Sequence, residues 1–353
     1  MARTFWIGGL SLLVILGAAT AGYYWMKGPM YRPGDLRSGK FKAATPPAQS
    51  GAADRWTMAP GVELYHFEEG SGTPILIVHG GPGFSPEKPW LGGSLLARNY
   101  RTIYYHQRGC GRSSRPISSF STPNMYANMK LLNEQLGLPA QIADIERIRQ
   151  ILGQQKLILV GHSFGAMLVA LYAAEYPEHV RAAIFIAPAD LIRMPAGKEF
   201  DLFDQMRLRM PASERQEYAA YMREYFDFPR AFQRNEEQSS EFYGRMSKYY
   251  RLATGIKFAA GSPQSTGYEP LALYCSMGQH HDYSAALRRI NAPVLVLHGA
   301  NDLQPEAASR HFASYFANAR FLSIPQATHF VFDDQPQQFA NAVQDFLSDL
   351  PQK

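Results

Sequence analysis

The apolar run Leu157-Ile158-Leu159-Val160 gives way to Gly161-His162-Ser163-Phe164-Gly165, and a helical pattern then continues through Ala173. A serine hydroxyl is a poor nucleophile until a base takes its proton and a third group orients that base. A serine on a tight strand-to-helix turn has its hydroxyl lifted clear of the sheet, provided that glycines leave room on either side. Gly161 and Gly165 stand at those two places. The five-residue pattern alone arises by chance in many chains. Its setting, after a buried strand and before a helix, gives it meaning.

A base and an acid are available downstream, in the order Ser, acid, His that this kind of turn requires. His298-Gly299-Ala300-Asn301-Asp302 follows the apolar strand Val294-Leu295-Val296-Leu297. Pro325-Gln326-Ala327-Thr328-His329 follows the next strand, at 320–324. Taken singly, Asp302 also fits the N-cap of the helix that begins near Pro305, and His329 is a loop histidine. His280 and His281 compete from the middle of the chain, while His162 is set aside as pointing the wrong way along the turn. Order and position together select Ser163, Asp302 and His329 as the catalytic set.

Attack on a carbonyl also needs two backbone N–H donors for the developing oxyanion. Phe164, directly after the serine, offers one. The other is expected from Gly81 in His79-Gly80-Gly81-Pro82-Gly83, which leaves the apolar strand Ile75-Leu76-Ile77-Val78. Read blandly, that loop is a tight turn; its place behind an early strand favours the donor role.

The elements around these loops follow an alternating rhythm. The stretch 62–67 alternates as a half-exposed strand, 101–105 is another strand, and 142–152 is an amphipathic helix. The strand at 182–186 completes a β-α-β run after the serine helix. From about 191 to 288 no buried strand is expected, and helical periodicity is crowded with Tyr, Phe and Met. The rhythm resumes with the strand at 294–297, a helix reaching Phe316, the strand at 320–324 and a last helix at 336–347. The pattern predicts an α/β fold with a mostly parallel sheet, helices on both faces and a helical cap over the carboxyl ends of the strands. Residues 61–190 and 289–353 form the core in this reading, and 191–288 the cap.

Composition narrows the function classes. The chain has 353 residues, with 35 Lys and Arg against 30 Asp and Glu, and no block of like charge. Nothing in that balance suggests nucleic-acid binding. Cys110 and Cys275 are the two cysteines, with no metal-ligand spacing. Residues 5–26 carry no charge and are long enough to span the roughly 30 Å hydrocarbon core of a bilayer as a helix. Residues 1–26 are therefore expected to be either a membrane anchor or a cleaved signal peptide, with Ala19-Thr20-Ala21 as the cleavage site. Residues 27–60, rich in Gly, Pro, Ala and Ser, read as a tether. The expected location is membrane-associated, or periplasmic if the segment is cleaved.

His79-Gly80-Gly81-Pro82-Gly83, Gln107-Arg108-Gly109-Cys110-Gly111-Arg112-Ser113-Ser114 and Gly161-His162-Ser163-Phe164-Gly165 together resemble the proline iminopeptidase branch of the α/β-hydrolase superfamily. The resemblance covers about residues 61–350. It implies a serine nucleophile at Ser163, an acid at Asp302, a base at His329, a helical cap and no cofactor or metal. It also implies a peptide or small-molecule substrate, since members release N-terminal proline or small apolar residues while relatives cleave esters, amides or lactones. Three positions depart from the branch. His106 replaces the usual Asp before Gln-Arg-Gly, Gly-His-Ser-Phe-Gly replaces Gly-Gly-Ser-Trp-Gly, and the cap lacks a Trp-Glu pair, with no tryptophan after Trp90. An ammonium in an apolar pocket needs a carboxylate partner. Glu236, Glu237 and Glu241 are the cap candidates, although as a run among Gln and Ser they read better as a solvated helix face. The expected activity is aminopeptidase, with carboxylesterase as the alternative and a non-catalytic binding protein as a further one.

Overall fold

The computed structural model describes residues 28–195, 197, 200–256 and 266–350. Its main sheet has eight strands in the order β1-β2-β4-β3-β5-β6-β9-β10. These are β1 (Arg55–Ala59), β2 (Val62–Gly70), β3 (Pro74–Val78), β4 (Arg101–Tyr105), β5 (Leu157–His162), β6 (Val180–Ile186), β9 (Val294–Gly299) and β10 (Ala319–Ile324). The pairs β1–β2 and β2–β4 are antiparallel and the remaining pairs are parallel. Every residue of β3, β5 and β9 is buried, as expected of parallel strands covered on both faces. In β1 and at the start of β2, buried residues alternate with half-buried ones. The expected α/β fold with a mostly parallel sheet is the observed one.

Successive side chains on a strand point to opposite faces, so the sheet separates two apolar cores. One contains Leu76, Val78, Leu159 and Val296 with the helices Leu138–Ile151 and Phe164–Glu175. The other contains Ile75, Ile77, Val160 and Leu297 with Phe339 and Val343 of the helix Pro336–Ser348. A third cluster gathers Met206, Tyr218, Tyr221, Phe242 and Tyr249 of the segment between β6 and β9, together with Ile117, Leu132, Leu136 and Leu303 from outside it. The ends of that segment meet in a two-stranded ribbon, β7 (Arg193–Met194) against β8 (His281–Asp282). An aromatic-rich helical insert thus supplies most of a third core, and it re-enters the sheet near where it leaves.

Two expectations about the N-terminal part are corrected. Among the described residues no helix is long and apolar enough to cross a membrane. The transmembrane helix, the membrane partnership and the membrane or periplasmic location are dropped with that finding; the stretch 5–26 that suggested them lies outside the described residues. Nor do residues 28–60 form a free tether. Tyr31, Leu36, Trp56 and Met58 are buried in the first core. Tyr31 Oη, Gly34 N and Arg37 N all donate to the Glu175 carboxylate, at 2.9, 2.6 and 2.9 Å. Met30 N donates to Ser276 O at 2.9 Å. Isolated apolar anchors spaced among Gly and Pro leave no period to read, which is why this docking is invisible to a pattern argument.

Glu175 is 1% exposed and collects three donors at the end of the serine helix. Glu175→Ala should lower the free energy of unfolding by about 2–4 kcal/mol, because hydrogen bonds to a charged acceptor are lost and buried donors are left unmet. Urea denaturation followed by circular dichroism measures this. An unchanged midpoint would mean that the segment is not held.

Candidate active site

Ser163 links β5 to the helix Phe164–Glu175 with φ 52° and ψ −118°. Positive φ is unusual for serine and costs on the order of 1–3 kcal/mol unless neighbours enforce it. Here Ser163 N donates to Ile186 O at 2.9 Å, and Ser163 O accepts from Ala166 N and Ala189 N at 3.1 and 3.2 Å. Close packing does the rest: a Cβ on Gly165 would stand 2.2 Å from Val78 O and 2.5 Å from His79 O. Only glycine allows the helix to start so near β3.

The expected partners come together. His329 Nδ1 lies 2.9 Å from Asp302 Oδ2, with the Asp302 side chain fully buried. A carboxylate only accepts, so Nδ1 carries the proton and Nε2 is left to face a substrate or nucleophile. Asp302 Oδ1 accepts from Gln304 N at 3.0 Å in the turn ahead of the helix Glu306–Ala313, whose N-cap is Pro305, so Asp302 does not cap that helix. Ser163, Phe164, Gly81 and His329 all line one cavity of about 470 Å³. Phe164 opens its helix, so its N–H has no carbonyl partner within that helix.

The Gly81 loop is set by residues whose role the motif did not disclose. His79 Nε2 accepts from Gln107 N at 3.1 Å, which places the ring proton on Nδ1, 3.0 Å from Gly80 O. Gln107 Nε2 donates to His79 O at 2.7 Å. Burial lowers the His79 pKa to about 3, so this ring stays neutral. Gly81 itself has φ +120°, and a Cβ there would meet Phe84 N at 2.6 Å. Gly83 and Gly161 complete the two turns. Arg108, next along, makes a buried two-point pair with Asp144, at 2.8 Å from Nε and 2.6 Å from Nη2. His106, at the position where the branch has Asp, accepts from Arg112 N at 2.8 Å and donates to Pro86 O at 2.9 Å. It pins the chain just beyond the glycine loop.

The remaining sequence candidates are elsewhere. Glu236 pairs with Arg115 at 2.8 Å and accepts from Tyr268 N at 3.0 Å; none of Glu236, Glu237 and Glu241 lines the cavity. Much of the wall consists of aromatic and sulfur-containing side chains, including Phe203, Met206, Phe226, Met246, Tyr250 and Phe330. The two acidic residues among the described ones that line it are both engaged. Asp190 accepts from His311 Nδ1 at 2.6 Å, and Asp201 caps the helix Leu202–Arg209 through Phe203 N and Asp204 N. His281 donates to Leu191 O at 2.8 Å in the ribbon and takes no part in the site. No group of three His, Cys, Asp or Glu able to hold a metal occurs among the described residues.

One group escaped the sequence reading. Glu269 is fully buried at the start of the helix Glu269–Met277, next to the cavity residue Pro270. Neither carboxyl oxygen has a hydrogen bond of normal geometry; its polar neighbours are the Cys110 thiol, which also donates to Gln107 O at 3.2 Å, and the more distant Arg115 charge, and both only partly offset its burial. Burial pushes the Glu269 pKa up to about 8. In a list of helix residues it looks like an ordinary first-turn acid.

Comparisons with known proteins follow from this geometry. Residues 73–336 match the family model described as alpha/beta hydrolase fold. The chain is 24% identical over 295 residues to a proline iminopeptidase of Heyndrickxia coagulans, covering 80% of this chain and 93% of that protein. It is 27% identical over 278 residues to a putative non-heme chloroperoxidase of Synechocystis sp., covering 76% and 88%. Among solved structures it is similar to a thermophilic esterase from Thermogutta terrifontis with malate bound. There the TM-score is 0.53 and the identity 20%, over 82% of this chain and 94% of that one.

The Glu269 carboxyl gives the site a measurable signature. Between about pH 4.5, where an exposed glutamate ionises, and about 8, the folded state keeps a proton that the unfolded chain has lost. Stability must then fall as pH rises through that window. The urea midpoint of the wild type should drop from pH 5 to pH 8, and Glu269→Gln should flatten that slope. Parallel slopes in the two proteins would contradict the buried, protonated acid.

Proposed function

We infer, because the chain belongs to the α/β-hydrolase fold family, that it is a serine hydrolase with Ser163 as nucleophile, His329 as base and Asp302 as the acid orienting His329. His329 takes the Ser163 proton as the serine attacks a carbonyl carbon. The tetrahedral oxyanion is held by the N–H groups of Phe164 and Gly81. His329 then protonates the leaving group, an acyl-enzyme remains, and water activated by the same imidazole releases the acid. The chain's own groups suffice for every step.

The substrate we propose is an ester with a bulky apolar acyl group. The observation that carries this is the cavity of about 470 Å³ over Ser163 and His329, whose wall is rich in Phe, Tyr and Met. Both acidic wall residues already serve His311 or a helix end. A cationic amine brought against these described wall residues would find both carboxylates engaged, and burying it unpaired would cost several kcal/mol.

A second reading, release of an N-terminal proline or apolar residue, is supported by the likeness to proline iminopeptidases and by Glu269. A carboxyl beside a wall residue, with neighbours that only partly offset its burial, is the kind of group an α-amine would engage. Under this reading Glu269 must ionise when the amine arrives.

The two readings separate on a panel of a prolyl anilide and nitrophenyl esters of rising acyl length. The ester reading predicts kcat/KM rising with acyl length and at least about 10-fold above that for the anilide, with Ser163→Ala lowering turnover by about 10⁴-fold or more. Dominant anilide cleavage that is lost in Glu269→Gln would establish the second reading. Turnover untouched by Ser163→Ala would overturn both.

A further inference from the structure

The sequence reads His162 as pointing the wrong way along the turn, yet it lines the same cavity as Ser163. Its ring ends against the proposed base. His162 Nε2 lies 3.0 Å from the backbone carbonyl oxygen of His329, and the two rings are 4.8 Å apart. A carbonyl only accepts, so Nε2 carries the ring proton and donates it. We propose that His162 is a positioning residue for the hydrolytic reaction, a ruler that fixes the main chain of His329 relative to Ser163. This inference rests on the reading that Ser163 and His329 act together.

His162 and Ser163 are neighbours, so a bond from the His162 ring to the His329 main chain spans the shortest covalent path available from nucleophile to base. Asp302 fixes the other side of the base, through Nδ1. The loop is also tied on either side, by Asn301 N to Ala327 O at 2.8 Å and by Thr328 N to Asp334 Oδ2 at 2.7 Å, and the His162 bond is the one made to the main chain of His329 itself.

The ring itself is held. Phe332 and Trp90 meet it edge to face at 5.0 and 6.0 Å between centroids, and Phe330 lies 5.4 Å away. A Cβ on Gly80 would come within 3.2 Å of His162 Nδ1, so the glycine loop closes over the other ring nitrogen. His162 therefore touches three loops at once: its own turn, the loop of the oxyanion donor and the loop of the base. Burial, with His329 and His79 nearby, keeps its pKa well below the ordinary histidine value. A neutral ring beside His329 does not oppose the positive charge that His329 gains when it takes the serine proton. A cationic one would.

The test compares His162→Phe, which keeps an aromatic ring but has no donor, with His162→Gln, whose side-chain amide N–H can reach the same carbonyl. Both are assayed on the best substrate of the panel described above, with thermal midpoints measured in parallel. Serine dependence of the wild type is established first with Ser163→Ala, so that failure of the catalytic reading is recognised separately. Misplacing a catalytic group by about 1 Å costs on the order of 100-fold. His162→Phe is expected to lose 10- to 100-fold in kcat with KM within about threefold, and His162→Gln to recover at least a third of the wild-type kcat. Two results would overturn the proposal: a kcat for His162→Phe within twofold of wild type, or a His162→Gln kcat as low as that of His162→Phe. If His162→Phe does not fold, His162→Gln still decides, because a kcat below a tenth of wild type at an unchanged thermal midpoint also sinks it.

Discussion

The left-handed backbone at Ser163 is the constraint on which the rest of the site depends. Its φ of 52° is a conformation serine avoids, and it persists because the surroundings leave no alternative. The strand before it is fixed by β3 and β6 on either side, and the helix after it is buried along nearly its whole length. The carbonyl of Ser163 is committed to Ala166 and Ala189, and its N–H to Ile186. Relaxing the turn would break those bonds and lift a buried helix off the sheet. The strain is therefore stored by the α/β core, at the edge where ligands enter such sheets.

Once that point is fixed, the other loops have to be brought to it, and buried, hydrogen-bonded polar groups carry them. His79 and Gln107 lace the loop after β3 to the loop after β4. His106 ties the same region to the chain at Pro86, and the Arg108–Asp144 pair anchors it to the helix Leu138–Ile151. On the opposite side Asp302 and His162 hold His329. Polar groups this deep are stabilising only when their partners are in place, and their geometry then admits one arrangement. The same burial lowers the pKa of His79, His106 and His162, and His162 is the one that lies against the proposed base.

Sequence made the core legible where chemistry and period coincide. Wholly apolar runs such as Ile75-Leu76-Ile77-Val78 and Val294-Leu295-Val296-Leu297 are central strands, because only strands covered on both faces can be apolar throughout. The pairing of His329 with Asp302 was legible from loop order alone. Side-chain direction was not, and His162 shows why: the residue before the nucleophile lines the same cavity and meets the main chain of His329, a contact that depends on a loop 167 residues away. Residues 28–60 were read as a tether because sparse anchors such as Tyr31 and Trp56 have no period, although each is buried. The aromatic run of the insert was equally ambiguous. Tyr218, Tyr221 and Tyr249 build its core, whereas Phe226, Met246 and Tyr250 turn to the cavity, and no spacing rule separates the two sets.

The divided insert bears on specificity through what charge can be tolerated where. A wall of Phe, Tyr and Met favours an acyl group by burial, at roughly 25 cal/mol for each Å² removed from water, and is indifferent to the leaving group. An amine is another matter, because its charge needs a partner that is both close and ionised. Asp190 and Asp201 are ionisable groups on the wall, but each is already spent on a neighbour. Glu269 is unspent, yet burial holds it protonated near neutral pH, and losing that proton inside the protein costs what made its pKa rise. An amine substrate would have to supply that cost from its own binding energy, whereas an apolar ester has no such cost to meet. The balance between the two substrates thus turns on one buried proton, on the residue immediately before a residue of the cavity wall.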